Sequence, residues 1–260
     1  QDFSESATIA QVYGQYLKGK GYKVDILTPA GFRTEAIAAL ESGDVNLIVD
    51  YIGGAATALA PDTRATADPT QVVGIITPAF SAKGATVFNF SPAVDGDALV
   101  VRGDSPATKI SDLKTLDYVL GASAQCEERP QCYIGFTDPA VYGITFKEYK
   151  KIDFGPQLGE ALVANEVDAV VWNTTAPQIE ERGFKVLQDD KGLFPAQNIA
   201  PIVSTSVSAA YGQRLVQDLN AVSAAITTDD LVAWNVETDI KFRESEDVAS
   251  DWLKAKGLAG

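Results

Sequence analysis

Residues 125–132, QCEERPQC, hold both cysteines of the chain and set Arg129 between them. Three chemistries use cysteines this close together. A structural zinc site takes four Cys or His ligands, and this chain has two cysteines and no histidine. Thioredoxin-type exchange uses a C-x-x-C spacing near a βαβ unit, whereas Cys126 and Cys132 have five residues between them, Glu127, Glu128 and Pro130 included. What remains is a structural disulfide. Closing so short a loop contributes about 2 kcal/mol in the chain-entropy model, and its main use is to hold the Arg129 backbone in one shape. Disulfides persist in oxidising compartments, so the pair points outside the cytoplasm.

Other chemistries are narrowed by composition. General acid and base work most often uses histidine, which is absent. A disulfide-bonded cysteine is no nucleophile, and neither a G-x-S-x-G elbow nor a paired metal-ligand motif is present. The expectation is a protein that is not an enzyme and uses neither cofactor nor metal. A formal net charge of −14 argues against a nucleic-acid partner, which needs clustered Lys and Arg. Apolar residues make up 46% of the 260 positions and charged residues 22%, an ordinary globular balance with enough chain for one large or two medium domains. No run reaches the 18 or more apolar residues of a membrane span. The chain starts at Gln1 without a methionine anywhere, as a trimmed form would, so a leader or lipid anchor would lie upstream of it.

The elements that must position these residues alternate between apolar runs and helical stretches, the pattern of an α/β protein with a parallel or mixed sheet. Strands are predicted at 24–27, 46–51, 85–90, 97–102, 117–123, 167–172, 184–188 and 199–204. Helices are predicted between most of them, among them SATIAQVYGQYLKG, RTEAIAALESG, PTQVVGIITPAFSAKG, GPQLGEALVANE and TAPQIEERG. From Tyr211 onward only helical patterns occur, with Thr228 as an N-cap. The segments 61–69 and 194–201 are Pro-containing loops.

One phrase is written twice. GDVNLIVDY (43–51) and NEVDAVVW (165–172) each run from a polar turn into an apolar strand that ends on an aromatic. In open α/β sheets the carboxyl ends of the strands face the ligand crevice. Tyr51 and Trp172 are therefore either two walls of one cleft or large residues that cap a core.

On DFSES (2–6), ALESGDVNLIVDYIG (39–53), DGDALVV (95–101), the Arg129 loop followed by VYGITF (141–146), NTTAPQIEERGFKVLQDDKGLFPAQNIAPIV (173–203), LNAVSAAITTDDL (219–231) and VASDWL (248–253), the chain resembles the substrate-binding proteins of ABC importers for osmoprotectants such as glycine betaine, choline and carnitine. The resemblance spans nearly its whole length. It implies a two-lobed periplasmic-binding-protein-like fold of type II, with two crossing segments between the lobes. Lobe 1 would take residues 1–99 plus 205–260 and lobe 2 residues 100–204, with the ligand cleft between them. It also implies an extracytoplasmic monomer, in the periplasm or at the cell surface, that delivers a cationic or zwitterionic solute to a membrane permease. The alternative is a two-lobed binding or sensory domain for a different cationic or amino-acid-like solute, with an enzyme ranked behind it.

The same resemblance implies a box of aromatic rings around a quaternary ammonium group, a cation that donates no hydrogen bond but is attracted to ring quadrupoles. Phe3, Tyr51 and Trp172 fall on box positions, and Ser4, Asn173, Thr174 and Gln197 join the implied ligand set. Arg129 falls on an arginine that pairs with a ligand carboxylate; its other reading is a surface ion pair with Glu127 or Glu128. Where relatives carry a tyrosine before the ALVV strand this chain has Asp97, beside Asp95, and near FPAQN it has Ala196 and Gln197 in place of an aromatic. The two aspartates are either ligand-facing carboxylates or cleft-edge acids in solvent or a hinge ion pair. The usual EYTG reads DYIG here, and a strand that precedes DFSES in relatives is missing.

Overall fold

The structure, a computed structural model, describes residues 3–27, 32–61 and 66–259. Asp2 of the DFSES stretch and residues 62–65 of the expected 61–69 loop lie outside the described residues. In chain order the elements are α1 (Ser4–Gly19), α2 (Arg33–Ser42), β1 (Leu47–Tyr51), α3 (Ile52–Leu59), α4 (Pro69–Ala82), β2 (Ala85–Val87) and β3 (Asp97–Val101). They continue with β4 (Val119–Ala122), α5 (Tyr133–Thr137), β5 (Glu148–Lys151), α6 (Pro156–Val163), β6 (Ala169–Asn173), α7 (Gln178–Glu181) and β7 (Lys185–Val186). The last are β8 (Ile199–Ser204), α8 (Thr205–Ala225), α9 (Thr228–Asn235) and α10 (Ser245–Ala255). The chain divides into two units, residues 1–95 with 196–260, and residues 96–195.

In the first unit the apolar residues of α1 recur at helical spacing, and Ile9, Val12, Tyr13, Tyr16 and Leu17 are all buried. They meet Leu215, Leu219 and Val222 of α8, Leu231 and Trp234 of α9, and Val248, Trp252 and Leu253 of α10 in one core. The sheet here has three strands in the order β1-β8-β2, all pairs antiparallel. β8 is buried along its whole length because it is the central strand. β8 lies in the first unit, which resumes at Ala196. A second core, from Ile37, Leu40, Ile52, Val72, Ile76 and Phe80, covers another part of the unit with α2, α3 and α4. α8 begins six residues before the expected start at Tyr211 and is broken at Gly212, whose φ of 56° is a conformation that favours glycine. Residues 24–27, expected as a strand, form none. Instead Ile26 lies against Gly14, where its side chain takes the space that a Cβ on α1 would fill.

The second unit is a five-stranded mixed sheet in the order β5-β4-β6-β3-β7. β4 runs parallel to both β5 and β6, and β3 runs antiparallel to β6 and β7. Alternation along the strands separates two apolar layers. Leu99, Val101, Ala169 and Val171 face a core that holds Phe136, Tyr142, Ile144 and both cysteines. Ala98, Val100, Val170 and Trp172 face the other, with Leu158 and Leu162 of α6. No helix among the described residues is long and apolar enough to cross a membrane.

Candidate functional site

In the first unit, β1 ends on Asp50 and Tyr51 and the chain turns at once into α3. Tyr51 is 6% exposed, and its hydroxyl donates to Glu5 Oε1 at 2.5 Å. Asn235 at the end of α9 donates from Nδ2 to the other oxygen, Glu5 Oε2, at 2.7 Å. Glu5 belongs to the first turn of α1, and Phe3, just before that helix, is in extended conformation. Its ring stacks on Tyr51 with centroids 6.1 Å apart and an interplanar angle of 26°, while Phe3 itself remains 43% exposed. An exposed ring thus lies over a buried one whose edge is tied to a carboxylate.

The electrostatics around these rings are negative. Burial pushes the Tyr51 hydroxyl well above the usual tyrosine range, and the charges of Glu5 and Asp95, the Glu5 hydrogen bond and the charge of Asp50 push it the same way. Asp50 is balanced by Arg33, whose Nε donates to both carboxylate oxygens at 2.8 and 3.1 Å. The guanidinium can lie there because residue 54 is glycine: a Cβ at that position would collide with Arg33 Nη2 and Cζ. Gln197 is built into the same corner, its Oε1 accepting from the Gly54 N–H at 3.0 Å. Ser4 donates from Oγ to Asp239 Oδ1 at 2.5 Å, and the Asp95 N–H donates to the Gln197 carbonyl at 3.3 Å.

In the second unit, the carboxyl ends of the parallel strands β4 and β6 lie at the same end of the sheet as the start of antiparallel β3, where Asp97 pairs directly with Asn173. Thr174 locks this corner, donating from its N–H to the Gly96 carbonyl at 2.9 Å and accepting from the Gly96 N–H on Oγ1 at 3.1 Å. Asn173 Nδ2 donates to Thr175 Oγ1 at 2.9 Å. The Arg129 loop follows β4. Cys126 and Cys132 form a disulfide and are both buried. Each also bonds the Arg129 backbone: the Arg129 N–H donates to the Cys126 carbonyl at 3.2 Å, and the Cys132 N–H donates to the Arg129 carbonyl at 3.1 Å. The side chain of Arg129 reaches Asp97, with Nη2 donating to Oδ2.

Set against the residues singled out from the sequence, Phe3 and Tyr51 come together in the first unit, where Ser4, Asp95 and Gln197 also lie, and Asp97, Arg129, Asn173 and Thr174 share one end of the sheet in the second. Trp172 is different. Its side chain packs in the α6 layer, and a Cβ on Gly159 would come within 3.0 Å of the indole. Strand alternation sends Trp172 to that face and its neighbour Asn173 to the opposite one. Arg129 pairs with Asp97 and with neither Glu127 nor Glu128; Glu127 instead accepts from Lys151 at 2.8 Å. Glu5, Asn235 and the Arg33–Asp50 pair were not singled out. The Asn235–Glu5 bond spans 230 residues of sequence, so no local pattern announces it. Among the described residues no group of His, Cys, Asp and Glu side chains is arranged to hold a metal ion.

The first unit thus sets an exposed aromatic ring close to the carboxylate of Glu5, and the second an Asp–Arg pair at one end of its sheet. The family described as "Substrate binding domain of ABC-type glycine betaine transport system" matches residues 1–255. The chain belongs to that family. Within it, the chain is 22% identical to the carnitine transport binding protein of Listeria monocytogenes, over 96% of this chain and 83% of the relative. It is equally 22% identical to the glycine-betaine-binding protein of Pseudomonas aeruginosa, over 98% and 86%. A solved structure titled as a glycine betaine/carnitine/choline ABC transporter superposes with a TM-score of 0.87 at 24% identity, covering 100% of this chain and 97% of that one. The fold is thus that of the type II periplasmic binding proteins, and members of this glycine betaine transport family are extracytoplasmic substrate-binding proteins of ABC importers.

Proposed function

We propose that this chain captures a quaternary ammonium or betaine-type solute and delivers it to its permease without chemical change. The observation that carries the reading is the Phe3–Tyr51 ring pair set among the carboxylates of Glu5, Asp50 and Asp95. A permanent cation is drawn to ring faces by about 0.5–2 kcal/mol per desolvated ring, and the charges of Glu5 and Asp95 add attraction without demanding a hydrogen bond from it, while Asp50 is balanced by Arg33. The proposed ligand residues are Phe3, Ser4, Tyr51, Asp95 and Gln197 from the first unit and Asp97, Arg129, Asn173 and Thr174 from the second. Trp172 supports this set from the interior of the second unit.

The absence of histidine and of free thiols supports binding over catalysis, and the net charge of −14 supports a partner other than nucleic acid. The chain acts as a monomer in this reading, outside the cytoplasm and with a lipid anchor where its natural form carries one. Thermal unfolding with choline, glycine betaine, carnitine and a set of amino acids tests it. A melting temperature that rises with quaternary ammonium compounds and is unmoved by the amino acids is expected. Stabilisation by amino acids alone contradicts the proposal.

A further inference from the structure

On the functional reading above Arg129 receives a ligand carboxylate, and the position of the Asp97–Arg129 pair argues for a role in selectivity. Both residues lie at the carboxyl ends of the parallel strands β4 and β6, the side on which open α/β sheets bind ligands. The pair is no core tie: the side chains are 41% and 26% exposed, and ion pairs in that setting add little to folding. Yet the guanidinium is placed with care, its backbone held on both sides by Cys126 and Cys132.

A guanidinium receives a carboxylate through two parallel N–H bonds along one edge. Nη2 belongs to both edges that can do this, and Nη2 is the atom that bonds Asp97. Each Nη2 N–H serves one edge, so Asp97 takes one edge; a solute carboxylate arriving at Arg129 has a single edge open to it and meets a like charge beside it. A solute with a hydroxyl in place of the carboxylate meets neither penalty, and the Asp97 charge favours its cation. We propose that Asp97 is a specificity-determining residue that turns this site away from carboxylate-bearing betaines and toward quaternary ammonium cations without a carboxylate. This deepens the functional reading above and rests on it.

Choline and glycine betaine share the same trimethylammonium head and differ at the other end, so their affinity ratio isolates the effect. Calorimetric titration of the unaltered protein is expected to favour choline; a preference for glycine betaine of fivefold or more overturns the inference without any variant. In Asp97→Asn and Asp97→Ser, with native unfolding curves as the control, the affinity for glycine betaine relative to choline is expected to rise at least fivefold. Adding Arg129→Ala should cancel that rise. A ratio within twofold of the unaltered protein in both Asp97 variants overturns the role of Asp97 and leaves the quaternary ammonium reading intact. Failure of the unaltered protein to bind either compound removes both.

Discussion

Tyr51 uses one side chain twice, its ring stacking under Phe3 and its hydroxyl fixed on Glu5. The two uses can be separated. Tyr51→Phe keeps the ring but strips a buried carboxylate oxygen of one donor, a loss of about 1–3 kcal/mol that urea unfolding should register, with cation binding largely retained. Tyr51→Ala removes the ring as well, and choline affinity measured by calorimetry should fall more than tenfold. Trp172→Ala should behave in the opposite sense: it empties the space against Gly159, costs about 3–5 kcal/mol as a large core truncation, and leaves the affinity of the folded fraction within a few-fold. The strand that carries Trp172 was legible in the sequence, but its facing was not. A run buried on both sides, as AVVW is here, shows no polar and apolar alternation from which to read which residue faces a ligand and which faces a helix.

At the scale of elements, the short turn from Cys126 to Cys132 is the device that presents Arg129, and its contribution to stability is modest. Replacing both cysteines by serine should lower stability by about 2 kcal/mol on the chain-entropy argument, seen as a lower urea midpoint, and the Arg129→Ala effect on ligand preference should shrink with it. Helices α1 and α10 were readable because their apolar residues recur at helical spacing over three or more turns. Strand β5 was not. Its sequence, EYKK, is charged and lies at the sheet edge, paired on one side only with β4, where polar residues are tolerated and no apolar pattern is needed. Helix α3 was missed because IGGAATAL is short and holds two glycines, which weaken a helical reading. One of those glycines is required by the Arg33 guanidinium, a contact between segments that local pattern does not reveal.

For the molecule as a whole, buried tyrosines set the alkaline limit. Burial is the leading cause that raises the hydroxyls of Tyr13, Tyr51 and Tyr142 far above their usual range and pushes those of Tyr22 and Tyr149 to about 12. In the unfolded chain these groups ionise near pH 10 while the folded chain keeps them protonated. The unfolded state then binds fewer protons, and stability falls as pH rises above about 10. Below that pH these tyrosines contribute no slope. Urea midpoints measured from pH 8 to 11 should be flat with respect to these five tyrosines up to about pH 10 and then drop. The family and its two-unit organisation were legible in the sequence because motifs in a shared order cover almost the whole chain. The inner wiring of the site was not, because Glu5, Tyr51 and Asn235 meet only in three dimensions.

The central claim is that a permanent positive charge is what the rings and carboxylates recognise. Calorimetric titration with choline and with its uncharged carbon isostere, 3,3-dimethyl-1-butanol, tests it at constant shape. Choline should bind at least tenfold more tightly; equal affinity for the two, or binding of neither, would contradict the account.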